Sequence, residues 1–364
     1  MKAVIFGAGR MGRVIGYAMD KLGYELIVFD TNRDAVGELE ALTDKSVTFL
    51  GRLPTKHELK ELAPNIAISS LPYFENQIAH TCIDAGVRYC DLGGRVDMSE
   101  MINKHAQEHA TAPVFTDLGL APGWVNILAE QGYRQVYDAT DVRMMVGGIP
   151  LHRPKGPLGY IMTWSLDGLL NEYRDDCEIL QDGQIHQVPG LSNLELIDPE
   201  WEGCVALEAF CTSGGAAHTT TSMQQRGVKN CMYKTLRWRG HHHLLDFLMN
   251  KCEMPDEQLS YIFTQSAKYE INQDDVVIIM AEVTNNYGLS WKKEIIVNCD
   301  SRFSAMQKST AFPVSTIASM MAEGVFDNRK VERGGYCDNK SMNLNYSDVP
   351  FDEFNKRLSG LLNK

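Results

Sequence analysis

The stretch KAVIFGAGRMGRVIGYAMDKLGYELIVFD (residues 2–30) constrains the fold more than any other part of the sequence. It has the pattern of a short apolar strand, a glycine turn, an amphipathic helix and a second apolar strand. Gly7, Gly9 and Gly12 occupy the positions of the G-x-G-x-x-G pattern. There the first glycine permits a tight turn, the second lets a pyrophosphate approach the backbone, and the third lets helix and strand pack closely. The helix N-terminus also offers unpaired N–H groups to phosphates.

Asp30, at the end of the second strand, favours NAD as the cofactor. It lies roughly 20 residues after the glycine turn, where a carboxylate accepts hydrogen bonds from the adenosine ribose. Its charge repels the 2′-phosphate of NADP, although Arg33 is close enough in sequence to weaken that preference. A glycine turn in an unrelated α/β protein is the alternative. The surrounding strand, helix and acidic residue predict a dinucleotide site, with NAD expected and NADP the second choice.

Strand and helix patterns alternate up to residue 119, which predicts a doubly wound parallel sheet. Ligands bind beyond the carboxyl ends of such strands. We therefore expect Ser69–Tyr73, Asp91–Gly94 and Asp117–Gly119 to surround the nicotinamide. The predicted cofactor-binding residues are Gly7, Gly9, Arg10, Met11, Gly12, Asp30, Ser70, Leu71 and Pro72.

The stretch DLGLAPGWVN (117–126) suits neither a strand nor a helix interior, because it holds two glycines and a proline. Pro122 is expected in the first turn of the helix PGWVNILAEQGYRQV, where its missing N–H costs nothing. The nucleotide-binding domain is therefore predicted to end at residue 121. Beyond it, long strand patterns with few helices between them predict an α+β domain with a largely antiparallel sheet. VVIIMAEVTNN and WKKEIIVN are expected to form a hairpin.

The segment DLGLAPGWVNILA resembles the corresponding segment of the saccharopine dehydrogenase family, and most closely that of bacterial lysine 6-dehydrogenases. Further segments match in order, namely VGGIP (146–150), WSLDGLLNEY (164–173), LEAFCTSGG (207–215), KTLRWRGH (234–241) and AFPVSTIASMMAEG (311–324). Saccharopine reductases usually carry an acidic residue where this chain has Ala121, and LRYPGH where it has LRWRGH. The triple histidine 241–243 departs from both groups.

The resemblance implies a discontinuous nucleotide domain, with residues 1–121 completed by 311–364 and a catalytic domain at 122–310. It also implies oxidation of a C–N bond. NAD takes a hydride from the carbon bearing the side-chain nitrogen, and water converts the iminium to 2-aminoadipate 6-semialdehyde. Release of ammonia from lysine is expected. Saccharopine dehydrogenase, which releases glutamate, a carboxynorspermidine-type reductase and a non-catalytic NAD-binding regulator stay open.

Three residues are candidates for proton transfer. Asp117 comes first because it ends a strand on the nicotinamide side, where it can accept a proton or bind an ammonium group. The alternative is an aspartate that caps its own loop, and this alternative carries more weight for Asp91. His241 is a candidate because a histidine side chain ordinarily has a pKa near neutral pH, which suits proton transfer. The alternative is a lone loop histidine that is only solvated.

Arg237 is the predicted clamp for the substrate α-carboxylate, because a guanidinium binds a carboxylate bidentately. Alternation along TLRWRGH places Arg237 and Arg239 on one strand face, with Trp238 opposite. Two arginines on one face of an acidic protein favour an anion site over a surface ion-pair ladder. The other predicted substrate contacts are Tyr73, Thr212, Ser213 and Gly214.

The composition excludes several classes of partner. A net charge of −12 and a pI of about 5.3 disfavour nucleic acid and anionic membranes. The sequence contains no run of about 18 apolar residues, so no membrane span is predicted. The start of the chain does not have a signal-peptide pattern. Nine cysteines without a CxxC pair indicate reduced thiols and a cytoplasmic location. The partners expected are a small amino-acid substrate and further copies of the chain, as a homodimer or larger homo-oligomer.

No metal is expected at His241–His243. Adjacent strand residues point to opposite faces, and no nearby cysteine or carboxylate completes four ligands.

Overall fold

The computed structural model describes residues 1–44, 46–71, 76–93, 95–154, 156–162, 164–201, 206–266, 274–327, 332–333, 336–337 and 342–363. The chain divides into two compact units. The discontinuous unit comprises Met1–Trp124 and Gln307–Lys364, and the central unit comprises Val125–Met306. The sequence analysis placed the two changes of unit after residues 121 and 310, and the structure places them after residues 124 and 306.

Six parallel strands form the sheet of the discontinuous unit. They are β1 (Lys2–Phe6), β2 (Glu25–Phe29), β3 (Val47–Leu50), β4 (Ile66–Ser69), β5 (Tyr89–Asp91) and β6 (Val114–Phe115). Their order across the sheet is β3-β2-β1-β4-β5-β6, and every pair is parallel. The order reverses between β1 and β4, so the predicted doubly wound sheet is confirmed.

Helices follow the strands of this sheet. They are α1 (Gly12–Lys21), α2 (Arg33–Glu40), α3 (Lys56–Leu62), α4 (Asn76–Ala85) and α5 (Val96–His109). Two of them begin at side-chain caps. Asn32 accepts a hydrogen bond from the backbone N–H of Asp34 at 2.9 Å, and Thr55 forms a capping box with Glu58 at the start of α3. Such caps satisfy N–H groups that have no partner inside a helix.

The exit loop differs from its prediction at Pro122. Helix α6 spans Trp124–Gln135, so Pro122 precedes the helix instead of lying in its first turn. The helix begins at Trp124, whose N–H donates to the carbonyl of Gly119 at 3.0 Å. Gly123 has φ 131° and passes so close to Gly119 that a Cβ on it would overlap the Gly119 backbone. A glycine is therefore needed at position 123 for this backbone crossing, and the crossing sets the start of the helix.

Eight strands form the sheet of the central unit. They are β7 (Asp141–Pro150), β8 (Cys177–Gln181), β9 (Gln184–Val188), β10 (Glu195–Ile197), β11 (Leu207–Cys211), β12 (Asn230–Trp238), β13 (Asp275–Thr284) and β14 (Ser290–Asn298). The main order is β10-β11-β12-β7-β13-β14, and β8 pairs with β12 and β9. Strands β12 and β7 run parallel, whereas the other described pairs are antiparallel. The largely antiparallel sheet and the β13–β14 hairpin are thus confirmed.

Helix α6 belongs to the central unit from Val125 onward, and further short helices follow it there. They are α7 (Leu166–Arg174), α8 (Thr219–Gln225), α9 (His241–Asp246) and α10 (Asp256–Ser266). Helix α9 continues directly into a π-helical turn at Phe247–Lys251. The prediction that histidines 241–243 extend a strand is wrong, because these residues lie in α9.

The chain then returns to the discontinuous unit. The return contains α11 (Ala305–Ala322), two short strands β15 (Glu332–Arg333) and β16 (Tyr336–Cys337), and α12 (Phe351–Leu362). Between β16 and α12 in the chain, the carbonyl of Met342 accepts from the N–H of Val114 in β6, and the N–H of Leu344 donates to the carbonyl of Val114, each at 2.8 Å. The returning segment therefore pairs with the last strand of the parallel sheet.

Three further features concern only the described part of the chain. The seven cysteines with described side chains are all free. No described helix has the length and apolar character needed to cross a membrane. No three or more His, Cys, Asp or Glu side chains within the described ranges are grouped as metal ligands.

Candidate active site

Each glycine of the turn after β1 meets a different geometric requirement. Gly7 has φ 87°, a conformation that side chains rarely adopt. A Cβ on Gly12 would overlap the carbonyl oxygen of Gly7, so helix α1 packs directly against the turn. A Cβ on Gly9 would meet no atom within 4 Å. The space beside Gly9 is what a pyrophosphate needs to approach the backbone, so the turn fits a dinucleotide.

Asp30 is fixed at this turn by two backbone groups. Its Oδ2 accepts a hydrogen bond from the N–H of Ala8 at 2.5 Å, and its Oδ1 accepts one from the N–H of Asn32 at 2.7 Å. Arg33 is held elsewhere, since it pairs with Glu40 at 2.9 Å. The arrangement keeps a carboxylate beside the glycine turn and gives the nearby arginine another partner.

Ser70 and Leu71 connect the end of β4 to the same turn. The Ser70 hydroxyl lies 3.1 Å from the carbonyl oxygen of Phe6 and 3.0 Å from that of Gly7, and donates to them. The side chain of Leu71 lies over Gly7, where a Cβ would come within 2.9 Å of it. The ends of β1 and β4 are therefore joined at the point where the strand order reverses.

Of the remaining predicted cofactor contacts, some lie in the turn after β1 and the others lie outside the described residues. Arg10 is exposed in the turn, and its carbonyl accepts from Nε2 of Gln307 at 3.1 Å. The carbonyl of Met11 accepts from the N–H groups of the first turn of α1. Pro72 and Tyr73, together with Gly94, lie outside the described residues.

Asp91 and Asp117 form a linked pair at the ends of β5 and β6. Oδ1 of Asp91 accepts from the N–H of Gly93 at 3.0 Å and from the N–H of Asp117 at 2.9 Å. Asp117 has φ 63°. Its Oδ1 accepts from the Ser99 hydroxyl at 2.7 Å, and its Oδ2 accepts from the Thr116 hydroxyl at 3.3 Å. Asp91 therefore stabilises the loop through backbone N–H groups, as the loop-capping alternative predicted. The Asp117 carboxyl is instead held by hydroxyl groups.

Burial makes Asp117 a proton-exchanging group near neutral pH. The side chains of both aspartates are buried. Loss of hydration, together with the neighbouring charge of Asp91, raises the pKa of Asp117 to about 7. Burial also raises the pKa of Asp91, although its two backbone N–H donors lower it. A carboxyl that gains and loses a proton near pH 7 suits general acid–base chemistry.

In the central unit, Arg237 is a buried guanidinium that lacks a carboxylate partner among the described residues. Its residue is only 4% exposed. Nη1 donates to the carbonyl of Leu236 at 3.0 Å, and the guanidinium lies 4.9 Å from the ring centre of Tyr160. A buried charge without an anion is costly. The arrangement therefore leaves the guanidinium charge without an ion-pair partner in the described part of the chain.

A chain of hydrogen bonds fixes the position of Arg237. Nε of Arg237 donates to the Tyr173 hydroxyl at 2.9 Å. Tyr173 Oη lies 3.1 Å from Nε2 of His241, and Nδ1 of His241 lies 2.7 Å from the carbonyl oxygen of Leu158. A carbonyl only accepts, so Nδ1 carries the hydrogen and Nε2 accepts from Tyr173. Every donor and acceptor in the chain is thereby assigned.

His241 is thus not the loop histidine that the sequence suggested. It is the first residue of α9 and is 1% exposed. Burial, together with the charge of Arg237, lowers its pKa to about 3. Both ring nitrogens are bound by protein groups, so the imidazole is neutral and does not serve as the base.

Arg239 does not share a strand face with Arg237, contrary to the alternation argument. Strand β12 ends at Trp238, and Gly240 turns the chain into α9 with φ 94°. The Arg239 residue is exposed, and its carbonyl accepts from Nη2 of Arg153 at 3.1 Å. The alternation fails because the strand stops one residue before Arg239.

Glu208 lies opposite Arg237 in the β11–β12 register, yet it does not neutralise it. One carboxylate oxygen accepts from the N–H of Gly240 at 2.8 Å, and the other accepts from the N–H of His242 at 2.9 Å. Glu208 therefore caps the start of α9, where a negative charge is favourable.

The predicted neutral donors occupy the turn after β11. The Thr212 hydroxyl donates to that of Thr235 at 3.2 Å. The N–H of Ser213 donates to the carbonyl of Glu172 at 3.0 Å, and Gly214 has φ 83°. These groups hold the turn against α7, and their role toward a substrate stays a prediction.

Sequence reasoning missed Tyr160, Glu172 and Tyr173. The latter two lie in the segment WSLDGLLNEY. An acidic residue followed by an aromatic one at the end of a helical pattern was the only signal available. It did not show that β12, more than 60 residues later, packs beside them.

Comparisons with known proteins agree with this architecture. The family model described as the saccharopine dehydrogenase C-terminal domain matches residues 119–346, more than half of the chain. A solved structure of apo saccharopine dehydrogenase (L-Glu forming) from Saccharomyces cerevisiae is 14% identical with a TM-score of 0.73. The match covers 98% of this chain and 96% of that chain.

Two other solved structures are more distant. A mutant meso-DAPDH from Clostridium tetani, with DAP, is 11% identical with a TM-score of 0.45, covering 97% of this chain and 95% of that chain. A myo-inositol dehydrogenase from Lactobacillus casei, in complex with NAD(H) and myo-inositol, is 10% identical with a TM-score of 0.43, covering 89% and 87%. The family match and the shared fold of the yeast enzyme identify this chain as a member of the saccharopine dehydrogenase family of oxidoreductases.

Proposed function

We propose that the protein is an NAD-dependent dehydrogenase that oxidises the C–N bond of a lysine-derived amine, with lysine itself as the substrate. The products are 2-aminoadipate 6-semialdehyde and ammonia. The observation that carries the proposal is Arg237, a buried guanidinium fixed by Tyr173 and His241 and left without a carboxylate from the described chain. An amino-acid carboxylate supplies the missing anion.

The discontinuous unit holds the cofactor in this proposal. Gly7 and Gly12 shape the turn, Gly9 leaves room for the pyrophosphate, and Asp30 accepts from the adenosine ribose. Arg33 is paired with Glu40, which supports NAD over NADP. When bound, NAD supplies the hydride acceptor.

The chain's own residues control protons and position. Asp117 accepts a proton from the substrate ammonium, because its pKa of about 7 lets it exchange a proton at neutral pH. Asp91 keeps the Asp117 loop in place through two backbone hydrogen bonds. Arg237 orients the carboxylate, and His241 positions Arg237 through Tyr173 without exchanging a proton.

Saccharopine is the second candidate, and one observation favours it. Saccharopine has two carboxylates beyond the one it shares with lysine. Arg239 is exposed, and its side chain has no bonding partner in the described part of the chain. Nη2 of Arg153, in the segment after β7, donates to its carbonyl at 3.1 Å, so a second guanidinium group lies beside this turn. The two guanidinium groups are suited to a second carboxylate.

The test is NAD reduction with lysine and with saccharopine, followed by measurement of ammonia and glutamate. We expect NADH and free ammonia from lysine. Arg237→Lys should raise the KM for lysine at least tenfold, because Lys lacks the bidentate fork, and should leave the KM for NAD within about twofold. Arg239→Lys is the matched control, with no effect on lysine. Glutamate from saccharopine, without activity on lysine, contradicts lysine as the substrate.

A further inference from the structure

Gln307 connects the returning segment of the chain to the glycine turn after β1. It lies in the first turn of α11 and is only 7% exposed. Its Nε2 donates to the carbonyl of Arg10 at 3.1 Å. A carbonyl only accepts, so the amide nitrogen of Gln307, and not its amide oxygen, faces the turn. Both residues belong to the discontinuous unit, although 297 positions separate them in sequence.

This hydrogen bond fixes the direction of the peptide group between Arg10 and Met11. That peptide is trans, since the only cis bond in the described residues is Ala121–Pro122. In a trans peptide the C=O and the N–H point in opposite directions. Because the carbonyl of Arg10 points to Gln307, the N–H of Met11 points away from α11.

The backbone N–H groups at the start of α1 are available to a ligand. Within the described ranges, the N–H groups of Met11 and Gly12 donate to no acceptor, and no side chain caps the helix. Such N–H groups at a helix N-terminus bind phosphate oxygens. Two residues before Met11, a Cβ on Gly9 would meet no atom within 4 Å. The same turn therefore offers both donors and space for a pyrophosphate.

We infer that Gln307 is a positioning residue for the cofactor, because it holds the Arg10–Met11 peptide so that an N–H, and not a carbonyl oxygen, is presented to the pyrophosphate. The inference rests on the dinucleotide site of the proposed function and not on the identity of the amine substrate. If this peptide turned over, the partial negative charge of the carbonyl oxygen would face the phosphate oxygens and repel them. Gln307 acts through the peptide and does not itself need to contact the cofactor.

ADP and adenosine distinguish this role from a purely structural one. Both ligands contain the ribose that Asp30 is proposed to bind, but only ADP carries a pyrophosphate. The orientation of the Arg10–Met11 peptide should therefore change the affinity for ADP and not the affinity for adenosine. The net contribution of one hydrogen bond corresponds to a change in affinity of about three- to tenfold.

The test is displacement of bound NADH by ADP and by adenosine, followed by NADH fluorescence after the NADH affinity of each variant has been measured. Gln307→Met removes the donor and keeps the length of the side chain. It should weaken ADP binding about three- to tenfold and leave adenosine binding within about twofold. Gln307→Glu should weaken ADP binding further, because an ionised carboxylate cannot donate to the Arg10 carbonyl and repels it.

Ser315→Ala is the matched control. Ser315 is buried in the same helix, and its hydroxyl donates to the carbonyl of Ala311 at 2.7 Å. The variant also removes one side-chain hydrogen bond to a backbone carbonyl, but that carbonyl belongs to α11 and not to the glycine turn. It should leave the affinities for ADP and adenosine within about twofold of the wild-type values.

Equal weakening of ADP and adenosine binding by Gln307→Met would overturn the inference and make Gln307 a structural link within the unit. Unchanged ADP affinity would also overturn it. Gln307→Glu provides the same comparison if Gln307→Met does not fold. Gln307-dependent ADP binding in a protein that does not oxidise lysine would keep the inference and refute lysine as the substrate. A wild type that binds neither NADH nor ADP would overturn both.

Discussion

Tyr173 accepts a hydrogen bond from Nε of Arg237 and cannot donate its own hydrogen back. That hydrogen goes to Nε2 of His241, a nitrogen that stays unprotonated because the pKa of the imidazole is lowered to about 3. The guanidinium is thus held by a neutral hydroxyl whose orientation does not change across the physiological pH range. Its charge remains available for a ligand.

Tyr173→Phe should raise the KM for lysine about tenfold with little change in kcat. The variant leaves Nε of Arg237 and Nε2 of His241 without their shared partner, and a hydrogen bond to a charged group contributes about 1.5–3 kcal/mol. Steady-state kinetics with lysine at saturating NAD measures the effect. His241→Gln, which can still accept from Tyr173, should have the smaller effect. A fall in kcat with constant KM would place Tyr173 in the chemical step instead.

Gly9→Ala and Gly12→Ala should separate cofactor binding from folding. A methyl on Gly9 meets no protein atom, so thermal stability should be unchanged while NAD affinity falls at least tenfold. A methyl on Gly12 overlaps the Gly7 carbonyl, and such overpacking costs about 1–3 kcal/mol of stability. Thermal unfolding and NAD titration of both variants check this. Normal NAD affinity in Gly9→Ala would mean that the pyrophosphate does not approach this turn.

Asp117→Asn should lower kcat at least 100-fold, the usual contribution of a general base, and leave NAD affinity within about twofold. Asn keeps an acceptor for Ser99, so the loop should be retained. The loss should appear in single-turnover NADH formation. Loss of NAD affinity in step with kcat would assign Asp117 to loop structure alone.

The same substitution should change how stability depends on pH. The folded protein raises the pKa of Asp117 from 3.8 to about 7 and so binds a proton that the unfolded chain releases. This contribution to stability is fully present below pH 4 and is lost as the pH rises through 7. The Tm of Asp117→Asn minus the Tm of the wild type should therefore be larger at pH 8 than at pH 5. A Tm difference that does not vary with pH would contradict the raised pKa.

Asp30→Ser should narrow a preference for NAD over NADP. The carboxylate is fixed to the N–H groups of Ala8 and Asn32, where it repels a 2′-phosphate. The ratio of kcat/KM for the two cofactors measures the preference. Arg33→Gln is the control, and it should alter the ratio little because Arg33 is paired with Glu40. A wild type that prefers NADP would refute this interpretation of Asp30.

The parts of the site set by local geometry were predictable from sequence. The roles of Gly7, Gly9 and Gly12 depend on one turn and the adjoining helix, so their spacing was sufficient. Arg237 was singled out because strand alternation is also a local property. The prediction that Arg239 shares a strand face with Arg237 was wrong because the strand ends at Trp238. Only Gly240 marks that end in TLRWRGH.

The parts that depend on distant packing were not predictable. The environment of His241 comes from Leu158 and Tyr173, residues 83 and 68 positions away. Its burial, and therefore its low pKa, exists only once these segments meet. Tyr173 was missed for the same reason, because the sequence around it shows an ordinary amphipathic helix and its hydrogen-bond partner Arg237 is on β12.

The pairing of Val114 with Met342 and Leu344 has a consequence for synthesis on the ribosome. Residues 1–124 emerge before the whole central unit, whereas residues 307–364 emerge after it. The central unit is continuous in sequence and can fold while the parallel sheet still lacks its last neighbour. Until residue 344 has left the exit tunnel, one edge of β6 is an unpaired strand, open to pairing with another nascent chain. Translation that pauses before this point prolongs the exposure of that edge.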